Sequence, residues 1–217
     1  MAAPNSKTAL MACSPHWTSP YQVGSHHIAR ALVRGGWRVG FLSFPISPWH
    51  LLADPARTRL AERFAIYRCG GIADCGNMVW AYVPGALVAP YGAFPLSSRW
   101  VHRQWHRTTV PGLLPMLARH GLTDVDLLYI DNPYFGFLLP AIRHRRSLYR
   151  AVDNYSRFTY YAPAAAEQEA AIVRATDAVA YPAPGMRERL AAMGAHDLAY
   201  LPNGVDYQKI SAGPRGR

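Results

Sequence analysis

Two carboxylates that follow predicted buried strands are well placed for acid–base chemistry. Asp153 comes directly after the apolar run SLYRAV, and Asp131 comes directly after DLLYI. A carboxylate held at such a position can act as a general base, which typically contributes about 10²–10⁴-fold to a rate. Arg150 would lower the pKa of Asp153, whereas a nearby Asp131 would raise it. The sequence also allows a second interpretation, in which Asp153 only caps the turn that contains Asn154.

A long loop after the first predicted strand carries aromatic and polar side chains. It reads SPHWTSPYQVG, includes His16, Trp17 and Tyr21, and ends at Gly24. Rings held above the end of a sheet suit stacking against a sugar, although the loop could equally serve only to cover the sheet. It lacks the GxGxxG spacing of dinucleotide-binding folds, and the chain has no P-loop. These absences argue against NAD-dependent and NTPase functions.

The segment RWVHRQWHR, residues 99–107, combines cationic and aromatic side chains. If this cationic segment is helical, the arginines share one face and the tryptophans lie beside them; the residues are Arg99, Trp100, Arg103, Trp105 and Arg107. Such a face suits the headgroup layer of an anionic membrane, where each basic group contributes about 1 kcal/mol. A plain solvated face and a phosphate-binding face are the alternatives. No nucleic-acid module accompanies the segment, so nucleic acid is not the predicted partner.

The sequence predicts no metal site. His26 and His27 are adjacent, and neighbouring residues of a helix point about 100° apart, so they cannot chelate one ion together. Asp124 and Asp126 form a DxD string, but it precedes a predicted strand and is interpreted as a helix-to-strand turn. The chain has three cysteines and no CxxC pair, which is typical of reduced thiols in a cytoplasmic protein.

The composition is that of a folded domain with an anionic partner. Of 217 residues, 50% are hydrophobic and only 17% are charged, yet the formal net charge is +10. This hydrophobic content excludes wholesale disorder, and no run of apolar residues is long enough for a membrane-spanning helix. The basic excess favours nucleic acid, phosphorylated molecules or an acidic membrane surface.

The elements that position these residues alternate between strand and helix. Apolar strands are predicted at 7–14, 37–45, 78–83, 126–130, 147–152, 177–182 and 199–202. Helices are predicted near 25–34, 56–65, 97–121, 135–143, 164–176 and 184–194, and the one at 97–121 is interrupted by Pro111 and Pro115. This alternation predicts an α/β fold with an open, doubly wound parallel sheet, which is Rossmann-like. Ligands bind beyond the carboxyl ends of such strands. The residues that follow the strands are therefore the candidates for a site.

Several of these stretches resemble the N-terminal, acceptor-binding half of GT-B glycosyltransferases. The opening pattern SPHWTSPYQVGSHHIARALVRGGWRVGFLS is similar to the first strand, acceptor loop and helix of that fold, and LPNGVD is similar to its exit strand. The nearest resemblance is to the membrane-associated glucuronosyltransferases of xanthan-type exopolysaccharide assembly and related family 4-like enzymes. Their YRASDG segment aligns with residues 149–154, where Asn154 replaces the glycine.

The resemblance implies roles for particular residues. Asp153 would be the catalytic base, and a second group would bind the acceptor: His16, Trp17, Tyr21, Gly24, Asp131, Asn132, Tyr134, Arg150, Asn154 and Tyr155. The cationic segment would face the membrane. Asn203, Gly204 and Asp206 would lead toward a second domain.

The resemblance also implies the reaction and its partners. A nucleotide-activated sugar would be the donor, and a polyprenyl-linked or envelope glycan would be the acceptor. Transfer would need no metal or other cofactor, and the protein would be peripheral on the inner face of the cytoplasmic membrane. Residues 1–206 would form the acceptor-binding domain and 207–217 the start of a linker, with the donor-binding domain absent. The alternative function is a membrane- or glycan-binding module without catalysis.

Overall fold

The computed structural model describes residues 6–52, 59–91, 94–154 and 163–204. Within this part of the chain, eight strands form one sheet in the order β3-β4-β2-β1-β5-β6-β7-β8. The strands are β1 Thr8–Cys13, β2 Arg38–Ser43, β3 Ile72–Asp74, β4 Val79–Tyr82, β5 Asp124–Ile130, β6 Arg143–Arg150, β7 Ala178–Tyr181 and β8 Leu198–Tyr200.

All neighbouring strands are parallel except β3, which pairs antiparallel with β4 at the edge. The carboxyl ends of the seven parallel strands therefore meet at one edge of the sheet, called here the carboxyl edge. The predicted fold class, an open and mostly parallel α/β sheet, is confirmed. The short strand β3 was not predicted, because three residues carry too little periodicity to be recognised.

Helices connect the strands and cover both faces of the sheet. They are α1 Gly24–Arg34, α2 Trp49–Leu52, α3 Leu60–Arg68, α4 Arg99–Gln104, α5 Leu113–Arg119, α6 Leu138–Ala141, α7 Pro163–Ala175 and α8 Arg187–Ala192, with 3₁₀ helices at Trp105–Thr108, Pro133–Phe135 and Pro184–Met186. The side chains of α1 cover one face, against Met11 and Phe41. The opposite face holds the larger core, in which Trp105, Leu117 and Ile172 pack over Leu10.

Three predicted boundaries are corrected. The predicted helix at 97–121 is divided into α4, a 3₁₀ helix and α5, and its interruption at Pro111 agrees with the prediction. The interruption predicted at Pro115 is wrong, because Pro115 lies in the first turn of α5, where its missing N–H would have no partner within the helix. The strand β6 begins at Arg143 and ends at Arg150, earlier than the predicted 147–152. Asp124 and Asp126 lie on β5 rather than in a turn before it, where Asp126 accepts a hydrogen bond from the Thr8 N–H at 2.9 Å.

No helix in the described ranges is both long enough and apolar enough to cross a membrane.

Candidate functional site

Polar side chains from β1, β5 and α1 meet at the carboxyl edge. The two oxygens of the Asp131 carboxylate accept hydrogen bonds from the Ser14 N–H at 3.0 Å and from the Ser25 hydroxyl. The Asn132 amide donates to the Ser14 hydroxyl at 2.9 Å, and its Oδ1 accepts from the Tyr134 N–H. The predicted gathering of residues after β1 and β5 is therefore present, with Asp131 and Asn132 buried within it.

Asp131 is 2% exposed, and this burial raises the pKa of its carboxyl group to about 6. Hydrogen bonds from Ser25 and Ser14, and the charge of Arg150, oppose this shift and favour the ionised form. Asp131 therefore connects β5 to β1 and to the first turn of α1. In this position it orients its neighbours, since its oxygens are already engaged by the protein.

A pH dependence of stability follows from Asp131. Its carboxyl pKa lies above the ordinary value of 3.8, so the stability that the protonated group contributes is complete below about pH 4 and is lost as pH rises through about 6. Between pH 7 and about pH 4.5, the free energy of unfolding of the wild type should rise by about 2 kcal/mol relative to Asp131→Asn. Urea denaturation at both pH values measures this difference, and parallel pH curves for the two proteins would contradict it.

Arg150 ends β6 and lies buried at the centre of the carboxyl edge. One of its Nη groups donates to the Asn203 Oδ1 at 2.6 Å, and the guanidinium packs directly against Gly24, the first residue of α1. A Cβ atom at position 24 would lie only 2.7 Å from a guanidinium nitrogen. Gly24 thus makes room for Arg150, and two of the predicted site residues that are distant in sequence lie in contact.

Asp153 lies three residues beyond the end of β6 at the same edge, and it is exposed. Asn154, beside it, is half-buried. Asn203 and Gly204 are exposed after β8, and Asn203 is joined to the site through Arg150. The predicted residues Tyr155 and Asp206 lie outside the described part of the chain.

The first loop differs from the prediction that its rings face a ligand. Trp17 is 3% exposed, packs edge-on against Phe41 at a centroid distance of 5.1 Å, and donates its indole N–H to Asp74 at 2.6 Å. The expectation that Trp17 stacks on a sugar is therefore wrong, because the indole completes the core beneath the loop. His16 is also buried, with its Nε2 3.1 Å from Glu62, whereas Tyr21 is 76% exposed.

The cationic segment is only partly exposed. Arg99, Trp100, Arg103 and Arg107 are exposed, but Trp105 is 0% exposed and donates its indole N–H to the carbonyl of Tyr134 at 2.9 Å. The expectation that Trp105 faces a membrane is therefore wrong. The helix α4 ends at Gln104, and the 3₁₀ turn that follows rotates Trp105 into the core.

One cavity lies beside this segment, and a second lies at the ends of two strands. One has a volume of about 660 Å³, and Arg103, Arg107 and Phe137 are among its walls. The other, of about 570 Å³, lies at the ends of β2 and β4 and is mainly apolar, with walls that include Ile46, Leu60, Phe64, Tyr67, Leu87 and Val110. The polar side chains in the second wall are already engaged, since the Tyr67 hydroxyl donates to the Val110 carbonyl and the Ser47 hydroxyl lies 3.1 Å from His50.

Sequence reasoning missed the residues that hold the site together. Ser25, which binds Asp131, follows no strand, and serines at a helix start carry no signal of a specific partner. His26 is fully buried, with its Nε2 3.1 Å from the His16 carbonyl, so it anchors the first loop. Among the described residues, no group of three or more metal-ligating side chains is assembled.

Comparison with known proteins places this geometry in a family. A structure of sucrose-phosphate synthase from Thermosynechococcus elongatus is similar with a TM-score of 0.52 and 15% identity, over 93% of each chain. A second structure of that enzyme gives a TM-score of 0.53 and 15% identity over 90% of this chain and 48% of that one, so the present chain spans about half its length. At this identity the likeness concerns the fold, a GT-B-like lobe.

No curated protein matches the chain significantly. Residues 11–182 match the family described as "Glucuronosyltransferase GumK, N-terminal domain". This match covers most of the chain and includes the carboxyl edge from Ser14 to Asp153. The chain therefore belongs to the family of glucuronosyltransferase GumK N-terminal domains.

Proposed function

We propose that this chain is the acceptor-binding lobe of a glycosyltransferase, which transfers a sugar from a nucleotide-sugar donor to a lipid-linked or envelope glycan, with Asp153 as the general base. The observation that carries the proposal is the position of Asp153 in a domain of this family. It is an exposed carboxylate just beyond the end of β6, at the edge where parallel sheets bind their ligands. Buried carboxylates such as Asp131 are engaged by the protein, whereas Asp153 is accessible to an incoming hydroxyl.

The proposed reaction is an in-line attack of an acceptor hydroxyl on the anomeric carbon of the donor sugar. Asp153 removes the proton of that hydroxyl as the new bond forms, and the nucleoside diphosphate departs with the electron pair of the broken bond. The donor would be held by a donor-binding domain. The direct test is sugar transfer by the Asp153→Asn variant.

The apolar cavity supports a lipid-linked acceptor. Its walls are mostly hydrocarbon, with Leu87 and Val110 largely exposed at its rim. The strands β2 and β6 are separated by two others, so the cavity begins on the order of 15 Å from Asp153. A lipid chain held in the cavity would leave room for its saccharide headgroup to extend along the carboxyl edge to the base.

The exposed part of the cationic segment supports association with the inner face of the cytoplasmic membrane. Trp100 is 60% exposed beside Arg99 and Arg103, and Arg99 is paired with Glu167. Tryptophan beside arginine suits the boundary between headgroups and acyl chains. The same surface favours the second candidate function, membrane binding without catalysis, in which binding would not depend on Asp153.

A vesicle-binding experiment tests the membrane role. Arg103→Ala should weaken partition onto anionic phospholipid vesicles about fivefold at low salt, because one basic group near such a surface contributes about 1 kcal/mol. Arg145→Ala is the matched control, since Arg145 is exposed at the start of β6, at the opposite edge of the sheet. Equal losses in both variants would show that only net charge matters, and the membrane role of the segment would fail.

A further inference from the structure

The guanidinium of Arg150 is buried, yet few of its N–H donors have hydrogen-bond acceptors among the described residues. Arg150 is 3% exposed, and its described hydrogen bond runs from one Nη group to Asn203. The Nε–H is fully buried and has no hydrogen-bond partner among the described residues. Native proteins rarely leave such a donor unpaired, so a buried charged donor of this kind indicates a function beyond packing.

Two other arginines show how this fold engages a guanidinium for structural purposes. Arg63, which is also buried, donates to the carbonyls of Phe44 and Pro45 at 3.0 and 2.8 Å. Arg189 makes two bonds to the Glu169 carboxylate at 2.8 and 3.0 Å. Arg150, in contrast, lies at the carboxyl edge, where ligands are expected. Its described hydrogen bond there is to the neutral side-chain amide of Asn203.

The second feature of this place is the start of α1. Gly24 is its first residue, and the guanidinium of Arg150 lies against it. The first N–H groups of a helix have no partner within the helix and carry a partial positive charge. The first turn of α1 contains no acidic residue. The Val23 N–H donates to His26 Nδ1 and the His26 N–H to the Val23 carbonyl, so the N–H groups of Gly24 and Ser25 are the ones available to an anion. The positively charged guanidinium of Arg150 thus lies against the partially positive start of α1. A bound anion that contacts both groups would reduce the repulsion between them.

The neighbouring carboxylate does not replace that anion. Asp131 offsets part of the charge, but its oxygens accept from the Ser14 N–H and the Ser25 hydroxyl. Asp131 therefore holds the start of α1 to the sheet through its hydrogen bond from Ser25. The half-exposed Gly24 and the exposed Asn203 form the other side, and the exposed Asp153 follows Arg150 by three residues at the same edge of the sheet.

We propose that the Arg150 guanidinium and the first N–H groups of α1 form a phosphate-binding subsite beside Asp153. A planar guanidinium fork and a helix N-terminus each bind tetrahedral oxyanions well. The inference rests on the proposed glycosyl transfer for its source of phosphate, which is the diphosphate of either the sugar nucleotide or a lipid-linked acceptor. In both cases the subsite would hold a substrate phosphate near the base.

Calorimetric titration with inorganic pyrophosphate tests the subsite. The wild type should bind saturably, and Arg150→Gln and Gly24→Ala should each weaken binding at least tenfold, the second because its added Cβ would displace the guanidinium. Arg145→Gln removes a charge at the opposite edge of the sheet and should bind as the wild type does. Absence of saturable binding by the wild type, or binding by Arg150→Gln or Gly24→Ala as tight as that of the wild type, would overturn the proposal.

A measurement on the wild type covers the case in which those variants do not fold. The Arg150 Nε–H resonance, identified by its loss in Arg150→Lys or by standard backbone-linked assignment, should shift saturably as pyrophosphate is added. An Nε–H resonance that does not respond would overturn the proposal. Titrations with UDP and with farnesyl diphosphate then separate the sources: tighter binding of the first supports the donor, and tighter binding of the second supports the acceptor.

These measurements do not depend on sugar transfer. If pyrophosphate binding fails while Asp153→Asn loses transfer, the subsite is wrong and the base assignment stands. If binding succeeds while Asp153→Asn retains transfer, the subsite stands and the proposed base is wrong.

Discussion

Replacing Asp153 with Asn is expected to lower sugar transfer by about 10²–10⁴-fold, because an amide cannot accept the proton of the attacking hydroxyl. The change should appear in kcat and kcat/KM alike, with KM nearly unchanged, since the base acts in the transition state. The side chain is exposed and the substitution keeps its shape, so stability should be unaffected. The assay uses the chain joined to a donor-binding domain, with a nucleotide sugar and a lipid-linked acceptor.

Asp197→Asn is the matched control for this experiment. Asp197 is also an exposed carboxylate beside a strand, but it precedes β8 and lies at the opposite edge of the sheet. It should transfer sugar at the wild-type rate. Normal turnover by Asp153→Asn would refute the base assignment, and vesicle binding that persists in an inactive wild type would favour the binding module.

Replacing Glu169 with Ala is expected to lower the free energy of unfolding by about 3–5 kcal/mol, because it removes the buried carboxylate that forms an ion pair with the largely buried Arg189. Glu169 is 0% exposed and accepts from Arg189 at 2.8 and 3.0 Å and from the Tyr149 hydroxyl at 3.1 Å. The pair therefore ties α7 to α8 and to β6. Urea denaturation with an unchanged m-value would measure the loss.

Glu167 provides a matched control on the same helix. It lies two residues before Glu169 and pairs with Arg99, and both side chains of that pair are substantially exposed. Water and salt screen such a pair, so Glu167→Ala should cost at most about 1 kcal/mol. Similar losses in the two variants would contradict the distinction between the buried and exposed pairs.

Much of the fold was predictable because its signals are local and repeated. Apolar runs such as DLLYI and DAVAYP are long enough to indicate buried strands, and their alternation with helices favours parallel order. The gathering of Ser14, Asp131 and Arg150 at one edge then follows from topology alone. The predictions failed for short elements and for element ends, as in β3 and the start of β6, because there tertiary contacts outweigh the conformational preferences of a few residues.

The direction of the aromatic side chains was not predictable. Trp17 and Trp105 stand beside polar or cationic neighbours in the sequence, which suggested exposure, yet both indoles are buried and both N–H groups find acceptors. Their acceptors are Asp74 and the Tyr134 carbonyl, which are distant in sequence. An indole buries a large apolar area and needs only one hydrogen-bond acceptor. The position of that acceptor in the fold therefore decides whether the indole is buried or exposed.

The sequence by itself determined the class of fold, the family resemblance and the candidate base, because strand periodicity and the segment at 149–154 are properties of contiguous residues. The tertiary structure alone decided which candidates are accessible and which are structural. It buried Asp131 beneath the start of α1, placed Gly24 against Arg150 and joined Arg150 to Asn203. These contacts span more than 50 residues of sequence, and only the packing of α1 and β8 around β6 brings their partners within hydrogen-bond range.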